Sequence, residues 1–325
     1  PGVRMAGLGE RSSHGNNGSR VTHIYQADHA LPDQQAPRAK PGVDARDGDL
    51  STADTGQPPA GEPDLSSMLA DQAGHQVLLT LSRNGTEHKA VVTPVNAYTE
   101  RSLRTSDWEV GRANAVDQAS KGRIGYLHLG AMGGEDMETF AREFYANIDK
   151  DGLIADVRGN NGGNIDSWVL SQLMGRAWMF WGRYGTAPAV NMQQAFQGHL
   201  VIIADERTYS DGETFAQGIK ELHIAPVIGE RTAGAGVWLS DGDRLIDMGN
   251  ARTAENPYFD MKGHWLVENQ GVSPDIEVEN MPVAAFHGQD QQLDAAITYL
   301  QKQMAEHPRP KLVPEAFSQQ VPAPK

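Results

Sequence analysis

Residues 200–215 read LVIIADERTYSDGETF, an apolar run followed by a polar turn and a segment that can be helical. The apolar run, Leu200–Ala204, has the length of a buried strand, and Ser210 stands where such a strand would give way to a helix. That geometry places a hydroxyl at the edge of a sheet and directs the following backbone N–H groups toward whatever the hydroxyl attacks. Ser210 is therefore a candidate nucleophile, and residues 211–221 are predicted to be helical.

An ordinary helix N-cap also explains these residues. Ser210 and Glu213 have the S-x-x-E spacing of a capping box, which is common at helix N-termini. A serine nucleophile also needs a base to remove its proton and donors to hold the oxyanion that forms. On the local sequence alone the cap is the favoured interpretation, so the choice depends on other segments.

Composition restricts the class of protein. The chain has 325 residues, enough for two domains, and a formal net charge of -14. Without a basic run, a nucleic-acid role is disfavoured, and without an apolar run of about 18 residues no membrane span is predicted. The chain has no cysteine, which excludes disulfides, thiolate metal sites and a cysteine nucleophile. None of the histidines has the H-E-x-x-H spacing of zinc hydrolases, and we predict neither a metal nor a cofactor.

Two folded regions are predicted. Residues 6–95 form a small β-rich module, in which Asn84-Gly85 between two strand-like runs is a strong hairpin signal. Residues 96–121 are polar, lack clear periodicity and are interpreted as a linker. Residues 122–305 alternate strand-like and helical segments, as in an α/β domain. The tail, residues 306–325, is rich in proline and predicted to be extended or disordered.

A glycine-rich segment follows the predicted strand that begins at Gly152. It reads DVRGNNGGN over residues 156–164 and leads into a predicted helix. Glycines there let a ligand approach the backbone and leave N–H groups free. The segment is either half of an oxyanion hole, a binding site for a peptide backbone, or an ordinary tightly packed loop. It has neither the dinucleotide nor the P-loop spacing.

Glu268 lies near the end of an apolar segment, in WLVENQGVSPDIEV over residues 265–278. An acidic side chain in such a place is unfavourable to bury unless it has a partner. It can orient a catalytic base, as the acid of a catalytic triad does. A salt-bridged or exposed glutamate is the simpler alternative.

Six segments in one order resemble the tricorn protease branch of the C-terminal-processing (tail-specific) serine peptidases, over roughly residues 6–305. Each motif alone is weak, but six in the family's order are strong and favour Ser210 as a nucleophile. They are Arg20–Tyr25 with Pro41–Val43 and Asp47–Asp49, like the family's PDZ strand and turn; Gly125–Leu129, like its first core strand; Asp156–Arg158 with Gly162-Gly163, like D-x-R-x-N-G-G-G; Tyr209–Glu213, like S-x-x-E; Gly229–Gly234, like its glycine-rich loop; and Val267–Asp275, like E-N-x-G-V-x-P-D.

The resemblance implies a fold and a chemistry. The fold would be mixed α/β, a crotonase-like peptidase core preceded by a PDZ-like module. Ser210 would be the nucleophile, and the N–H of Asp211 with that of Gly162 or Gly163 would form the oxyanion hole. Glu268 would belong to the relay that holds the base. The resemblance further implies peptide or oligopeptide substrates, assembly into a homo-oligomer with hexamer as the expected form, and a cytoplasmic location.

The chain departs from the family pattern at the base. The family uses a histidine in a Ser-His pair on a helical segment before the PDZ module, whereas this chain starts almost at that module. Ser13-His14 has the right letters, but it falls where the family has the opening strand of the module, so we interpret the match as coincidental. We expect the base upstream of Pro1, and the fragment alone to be inactive or nearly so. Asn161 also replaces the first of the family's three loop glycines.

Two other functions stay open from the sequence. A crotonase-type acyl-thioester enzyme would use the same loop N–H groups to hold an enolate. The β-rich module and the combination of Ser210 with Glu268 argue against it. A protein that binds peptides without cleaving them is the other alternative, since a chain without a base would only bind.

Overall fold

The computed structural model describes residues 4–15, 18–28, 30–54, 68–182, 188–191, 195–310 and 312–315. The chain divides into two compact units, Pro1–Arg112 and Ala113–Lys325. The division falls inside the segment predicted as a linker. Part of the predicted proline-rich tail, residue 311 and residues 316–325, lies outside the described residues. Within the described part of the chain, no helix is both long enough and apolar enough to cross a membrane.

The first unit is β-rich, as predicted. Strands β2 to β6 form one antiparallel sheet in that order, and β1 pairs with β7. Two short 3-10 helices lie between β3 and β4. The strands are β1 Ala6–Gly7, β2 Glu10–Gly15, β3 Gly18–Ile24, β4 Leu50–Asp54, β5 Val77–Arg83, β6 Thr86–Val92 and β7 Val95–Asn96, and the 3-10 helices are Pro32–Gln34 and Pro37–Ala39.

Alternation along β5 explains how this sheet forms its core. Val77, Leu79 and Leu81 are buried, while the residues between them are only partly buried, as the two-residue period of a strand requires. The turn from β5 to β6 has Asn84 at φ 52° and Gly85 at φ 81°. Two successive left-handed residues suit the tight hairpin turn that Asn-Gly predicts, so this prediction is confirmed.

The segment predicted as an irregular linker is helical instead. Helix α1, Ala97–Ser120, has 24 residues and runs from the first unit into the second. Leu103 is buried in the first unit and Val116 in the second, but most other side chains of the helix are at least partly exposed. A helix with so few buried positions has no continuous apolar stripe, so the hydrophobic periodicity of the sequence did not predict it. Asn96 was the available signal, since its Oδ1 accepts the Thr99 N–H (2.9 Å) as a helix cap.

The second unit is an α/β domain around a five-stranded parallel sheet. Its strand order is β16-β13-β12-β9-β8, and two antiparallel hairpins, β10–β11 and β14–β15, lie outside it. The elements are β8 Ile124–His128, α2 Gly134–Ala146, β9 Gly152–Asp156, α3 Asp166–Leu173, β10 Phe180–Trp181, β11 Ala189–Val190, β12 His199–Ala204, α4 Asp211–Glu221, β13 Val227–Gly229, β14 Trp238–Arg244, β15 Asn250–Asn256, β16 Ile276–Glu277, α5 Pro282–Phe286 and α6 Gln291–Glu306.

Helices cover both faces of the parallel sheet. Phe140 of α2 and Phe215 of α4 are buried on one face, together with apolar residues of α3. Leu300 of α6 and Val116 of α1 are buried on the other. Strands covered on two faces are apolar throughout, and all five residues of β9 are buried. The loops at the carboxyl ends of the strands are left to bind ligands, and Ser210 lies in one of them.

A buried ion cluster lies where β9 ends. The Arg158 guanidinium donates to the Asp156 carboxylate through Nη2 (2.6 Å) and Nε (3.0 Å), and through Nη1 to Asp290 Oδ1 (2.8 Å) and Gln292 Oε1 (3.2 Å). The Tyr126 hydroxyl donates to Asp156 Oδ2 (2.9 Å). Burial works to lower the pKa of Arg158, but the two carboxylates outweigh it and raise that pKa. The cluster joins β8, β9 and the start of α6 under the glycine-rich loop.

We expect Arg158→Met to lower the free energy of unfolding by about 3–5 kcal/mol, because it leaves two buried carboxylates without their cation. Urea denaturation at pH 7 measures this. The control is Arg123→Ala, which breaks a more exposed ion pair with Asp151 (2.9 Å) and should change the stability by less than about 1 kcal/mol. Equal losses in the two variants would show that the cluster contributes no more than a surface pair.

Candidate active site

Ser210 lies in a strained turn between β12 and α4. Its backbone has φ 51° and ψ -119°, a left-handed region that residues other than glycine rarely adopt. Glu213 Oε1 accepts the Ser210 N–H (3.2 Å), so the glutamate half of a capping box is present. An ordinary cap residue has an extended backbone, however. A cap alone therefore does not explain the conformation of Ser210, whereas a nucleophile presented on a sharp strand-to-helix turn has this kind of strain.

The glycine-rich loop after β9 contacts the Ser210 turn directly. A Cβ atom added at Gly162, where φ is 83°, would lie 2.5 Å from Ser210 Cβ and 3.2 Å from Asp211 N. A Cβ atom at Gly163 would overlap the carbonyl oxygen of Met132. Both positions therefore require glycine. The structure brings together the two segments that the sequence analysis singled out separately.

The N–H groups of Gly162 and Gly163 differ in whether they already make a hydrogen bond. The Gly162 N–H donates to Asn160 Oδ1 (2.8 Å), so it is already used within the loop. In the described part of the chain, neither Gly163 N nor Asp211 N makes a hydrogen bond. These two N–H groups are the candidates for an oxyanion hole. Asn161 donates its N–H to the carbonyl of Gly130 (3.0 Å) without left-handed backbone, which explains why that position need not be glycine.

Asn160 holds the glycine-rich loop against both neighbouring strands. It is fully buried, its Nδ2 donates to the Leu129 carbonyl (2.7 Å), and its own carbonyl accepts the Tyr209 N–H (2.8 Å). With the bond to Gly162, one residue links the end of β8, the loop and the Ser210 turn. The residue types alone did not single out Asn160. The available signal was a polar residue just after a buried strand, where an amide can satisfy free backbone groups.

Glu213 makes more contacts than the capping box predicted from the sequence. Its carboxylate is fully buried and accepts four hydrogen bonds. The donors are Ser210 N (3.2 Å), Thr232 Oγ1 (2.5 Å), Gly234 N (2.7 Å) and Ala235 N (2.8 Å). A buried carboxylate is tolerated only when hydrogen bonds replace its hydration. Glu213 thereby ties the loop of residues 232–235 to the Ser210 turn.

Glu268 holds the next part of the same loop. Its Oε2 accepts the N–H groups of Gly236 and Val237, both at 2.9 Å. Glu268 is therefore joined to Ser210 through one continuous loop, at the carboxyl end of the sheet. Its side chain is half-buried, and its Oε1 accepts no hydrogen bond within the described residues. Within the described residues, Oε1 is therefore free to accept a hydrogen bond.

The Asp211 carboxylate points back into the loop that carries Gly163. Asp211 is 1% exposed, and its Oδ2 accepts the N–H groups of Ile165 (2.9 Å) and Asp166 (3.1 Å) at the start of α3. Burial and the nearby Asp166 carboxylate raise the pKa of Asp211 to about 7. One residue thus offers its N–H to the site and its side chain to the neighbouring helix.

Two family models match the chain. The tricorn protease PDZ domain matches residues 7–97, and peptidase family S41 matches residues 123–278. The chain belongs to peptidase family S41, in its tricorn branch. The S41 match contains Ser210, Glu268 and the glycine-rich loop. The predicted fold, a β-rich PDZ-like module followed by an α/β peptidase domain, is confirmed.

Relatives of known sequence or structure match almost the whole chain. Tricorn protease homolog 1 of Streptomyces coelicolor is 34% identical over 311 residues, which is 94% of this chain and 29% of the relative. Tricorn protease of Thermoplasma acidophilum is 29% identical over 281 residues, 86% of this chain and 26% of the relative. The crystal structure of the tricorn protease superposes with a TM-score of 0.87 at 26% identity, over 93% of this chain and 29% of that one. The chain therefore spans less than a third of these proteins.

Three histidines of this S41 chain lie in other surroundings. His14, the less favoured candidate base, lies on β2 of the first unit with its side chain exposed. In the second unit, His128 Nε2 contacts the Arg158 carbonyl (3.0 Å) and His264 Nδ1 contacts Asp260 (3.0 Å). Within the described residues there is also no group of three or more histidine, aspartate or glutamate side chains arranged to hold a metal ion. The position of the base stays a prediction.

We expect Asp211→Asn to stabilise the protein increasingly as the pH rises from about 4 to 7. The unfolded chain ionises Asp211 near its ordinary pKa, whereas the folded chain keeps the proton up to about pH 7. The unfolded state therefore binds fewer protons in this window, and wild-type stability falls there and levels off above it. The variant lacks this loss and should gain roughly 1–3 kcal/mol across the window. Urea denaturation at each pH measures it, with pH 4 as the baseline. Parallel stability curves would contradict it.

Proposed function

We propose that the chain carries the catalytic part of a serine peptidase that hydrolyses peptide bonds of oligopeptides. One observation carries the proposal. Ser210 occupies a strained turn packed against Gly162, and the N–H groups of the next loop residue, Gly163, and of Asp211 make no hydrogen bond in the described part of the chain. A strained serine next to free donors is the arrangement that acyl transfer needs.

In the proposed reaction Ser210 Oγ attacks the carbonyl carbon of the scissile peptide bond. A base takes the hydroxyl proton, and the carbonyl oxygen becomes an oxyanion that accepts hydrogen bonds from Gly163 N and Asp211 N. The tetrahedral intermediate collapses, the C–N bond breaks, and the base returns the proton to the leaving amine. Water then attacks the ester on Ser210, the same base takes its proton, and the acid product leaves with Ser210 protonated again.

We assign the base to a histidine outside the second unit and its support to Glu268. With Oε2 fixed by Gly236 and Val237, the free Oε1 can accept the N–H of an imidazole or a hydroxyl that lies between the two groups. A carboxylate held in this way selects the tautomer of the histidine and stabilises the imidazolium. This is the relay that the resemblance implies for Glu268.

The proposed substrates and assembly follow the family. The matching relatives include tricorn protease and a tricorn protease homolog. By resemblance we propose peptide or oligopeptide substrates, a homo-oligomer, specifically a hexamer, and a cytoplasmic location. The net charge of -14 disfavours nucleic acid as a partner. No cofactor enters the proposed reaction.

The two competing functions would use the site differently. An acyl-thioester enzyme of the crotonase type needs N–H donors for an enolate but has no use for a strained serine beside them. A peptide-binding protein would need neither an oxyanion hole nor a strained serine. The backbone strain at Ser210 and the buried groups that maintain it therefore favour a nucleophile.

We expect a fluorophosphonate probe to label Ser210 in the natural full-length protein that contains this chain, because the probe reacts with serines that have a working base and oxyanion hole. Mass spectrometry of the labelled peptide identifies the site. Ser210→Ala should reduce labelling to background. Ser171→Ala, which removes an exposed hydroxyl on α3 bonded to the Trp168 carbonyl, should leave it unchanged. A full-length protein that stays unlabelled, or is labelled elsewhere, would contradict the peptidase proposal.

A further inference from the structure

The two candidate oxyanion donors belong to different parts of the chain. Gly163 lies in the loop between β9 and α3, and Asp211 begins α4 after β12. An oxyanion hole works only when both donors lie about 2.7–3.1 Å from one developing charge, and an error of about 1 Å in position can reduce the rate about 100-fold. Some contact must therefore fix the distance between these two elements.

The Asp211 side chain makes that contact. Its Oδ2 accepts the N–H groups of Ile165 and Asp166, which stand two and three residues after Gly163. The same residue supplies one of the two donors through its own N–H. Asp211 thus connects the two halves of the hole through a single oxygen atom. Asn160 bonds to the Gly162 and Tyr209 N–H groups, and the Met132 carbonyl accepts the Asn164 N–H (2.8 Å). The Asp211 side chain adds a direct contact from the start of α4 to the segment that follows Gly163.

We propose that the Asp211 carboxylate is a positioning residue, which fixes the distance between Gly163 N–H and Asp211 N–H and so sets the geometry of the oxyanion hole. The proposal rests on the proposed peptidase function. It assigns the side chain a role separate from that of the backbone N–H of the same residue.

The burial of this carboxylate argues that the contact does more than cap a helix. A helix start is satisfied equally well by an exposed serine or asparagine, without the cost of burying a carboxyl group. Here the carboxyl group is almost completely buried beside a second carboxylate, that of Asp166. Unfavourable local arrangements that persist are typical of functional sites.

The test measures two constants for the phosphonylation of Ser210 in the full-length protein. The rate constant of the chemical step, kinact, depends on the oxyanion hole, and the reversible binding constant of the fluorophosphonate, KI, does not. For Asp211→Ala we expect kinact to fall about 10- to 100-fold and KI to change by less than about twofold. Asp211→Asn keeps an oxygen that can accept both N–H groups, so it should recover kinact to within about threefold of wild type.

Two further variants keep the test decisive. Asp211→Glu retains the charge but moves the acceptor by one methylene group, so a folded variant should still lose kinact. Asp260→Ala is the matched control, because Asp260 Oδ1 likewise accepts two backbone N–H groups, of Lys262 and His264 (both 2.8 Å), within a turn of residues 260–264 that contains no residue assigned to the site. It should keep wild-type kinact.

The outcomes separate this inference from the proposed function. If wild-type Ser210 is not phosphonylated, the peptidase proposal fails and the positioning role fails with it. If the wild type reacts and both Asp211→Ala and Asp211→Glu keep its kinact, only the positioning role is overturned. The same holds if Asp260→Ala loses as much as Asp211→Ala, since loosening any loop would then suffice.

Discussion

The buried carboxylate of Glu213 is the constraint on which the site depends. A charge removed from water must find its full set of donors in the protein, and Glu213 finds them on both sides. Ser210 N–H comes from its own turn, and Thr232, Gly234 and Ala235 come from the loop after β13. To satisfy this one group, the chain must hold the strained turn and the loop together. These hydrogen bonds hold the backbone of Ser210 in its strained conformation.

Other buried polar groups extend the same arrangement across the edge of the sheet. Asn160 holds the glycine-rich loop to the turn from one side, and Glu268 holds the far end of the loop that Glu213 begins. Below them, Arg158 joins two carboxylates at the end of β9. The parallel sheet explains why these groups meet, because all its strands deliver their carboxyl ends, and the loops that follow, to one edge. The candidate site lies in those loops, while both faces of the sheet are packed with apolar side chains.

Much of the fold could be predicted from the sequence, since its strongest signals are local. The apolar run before Ser210 is a buried strand, residues 211–221 are helical as predicted, and Asn84-Gly85 turns a hairpin. Helix α1 was missed because its sparse buried positions belong to two different units. Local periodicity records only packing on a continuous face, so such a helix has no periodic signal.

The site was predicted less completely, for a physical reason. Residues 162 and 163 are both glycine, so the sequence does not distinguish them. Their backbone angles and the hydrogen bond to the Asn160 side chain decide which N–H group stays free. Glu213 appeared as a capping residue because three of its four donors lie far away in the sequence. Residue types therefore indicate that a site exists, while the directions of its donors depend on contacts between distant segments.

The central claim is that Gly163 N–H and Asp211 N–H form one oxyanion hole around Ser210. A crystal structure of the full-length protein phosphonylated at Ser210 tests it directly, because the phosphonyl oxygen occupies the position of the oxyanion. We expect this oxygen to lie within about 3.1 Å of both nitrogen atoms, with Gly162 N–H still bonded to Asn160. An oxygen that points away from both, or that accepts from Gly162 instead, would contradict it.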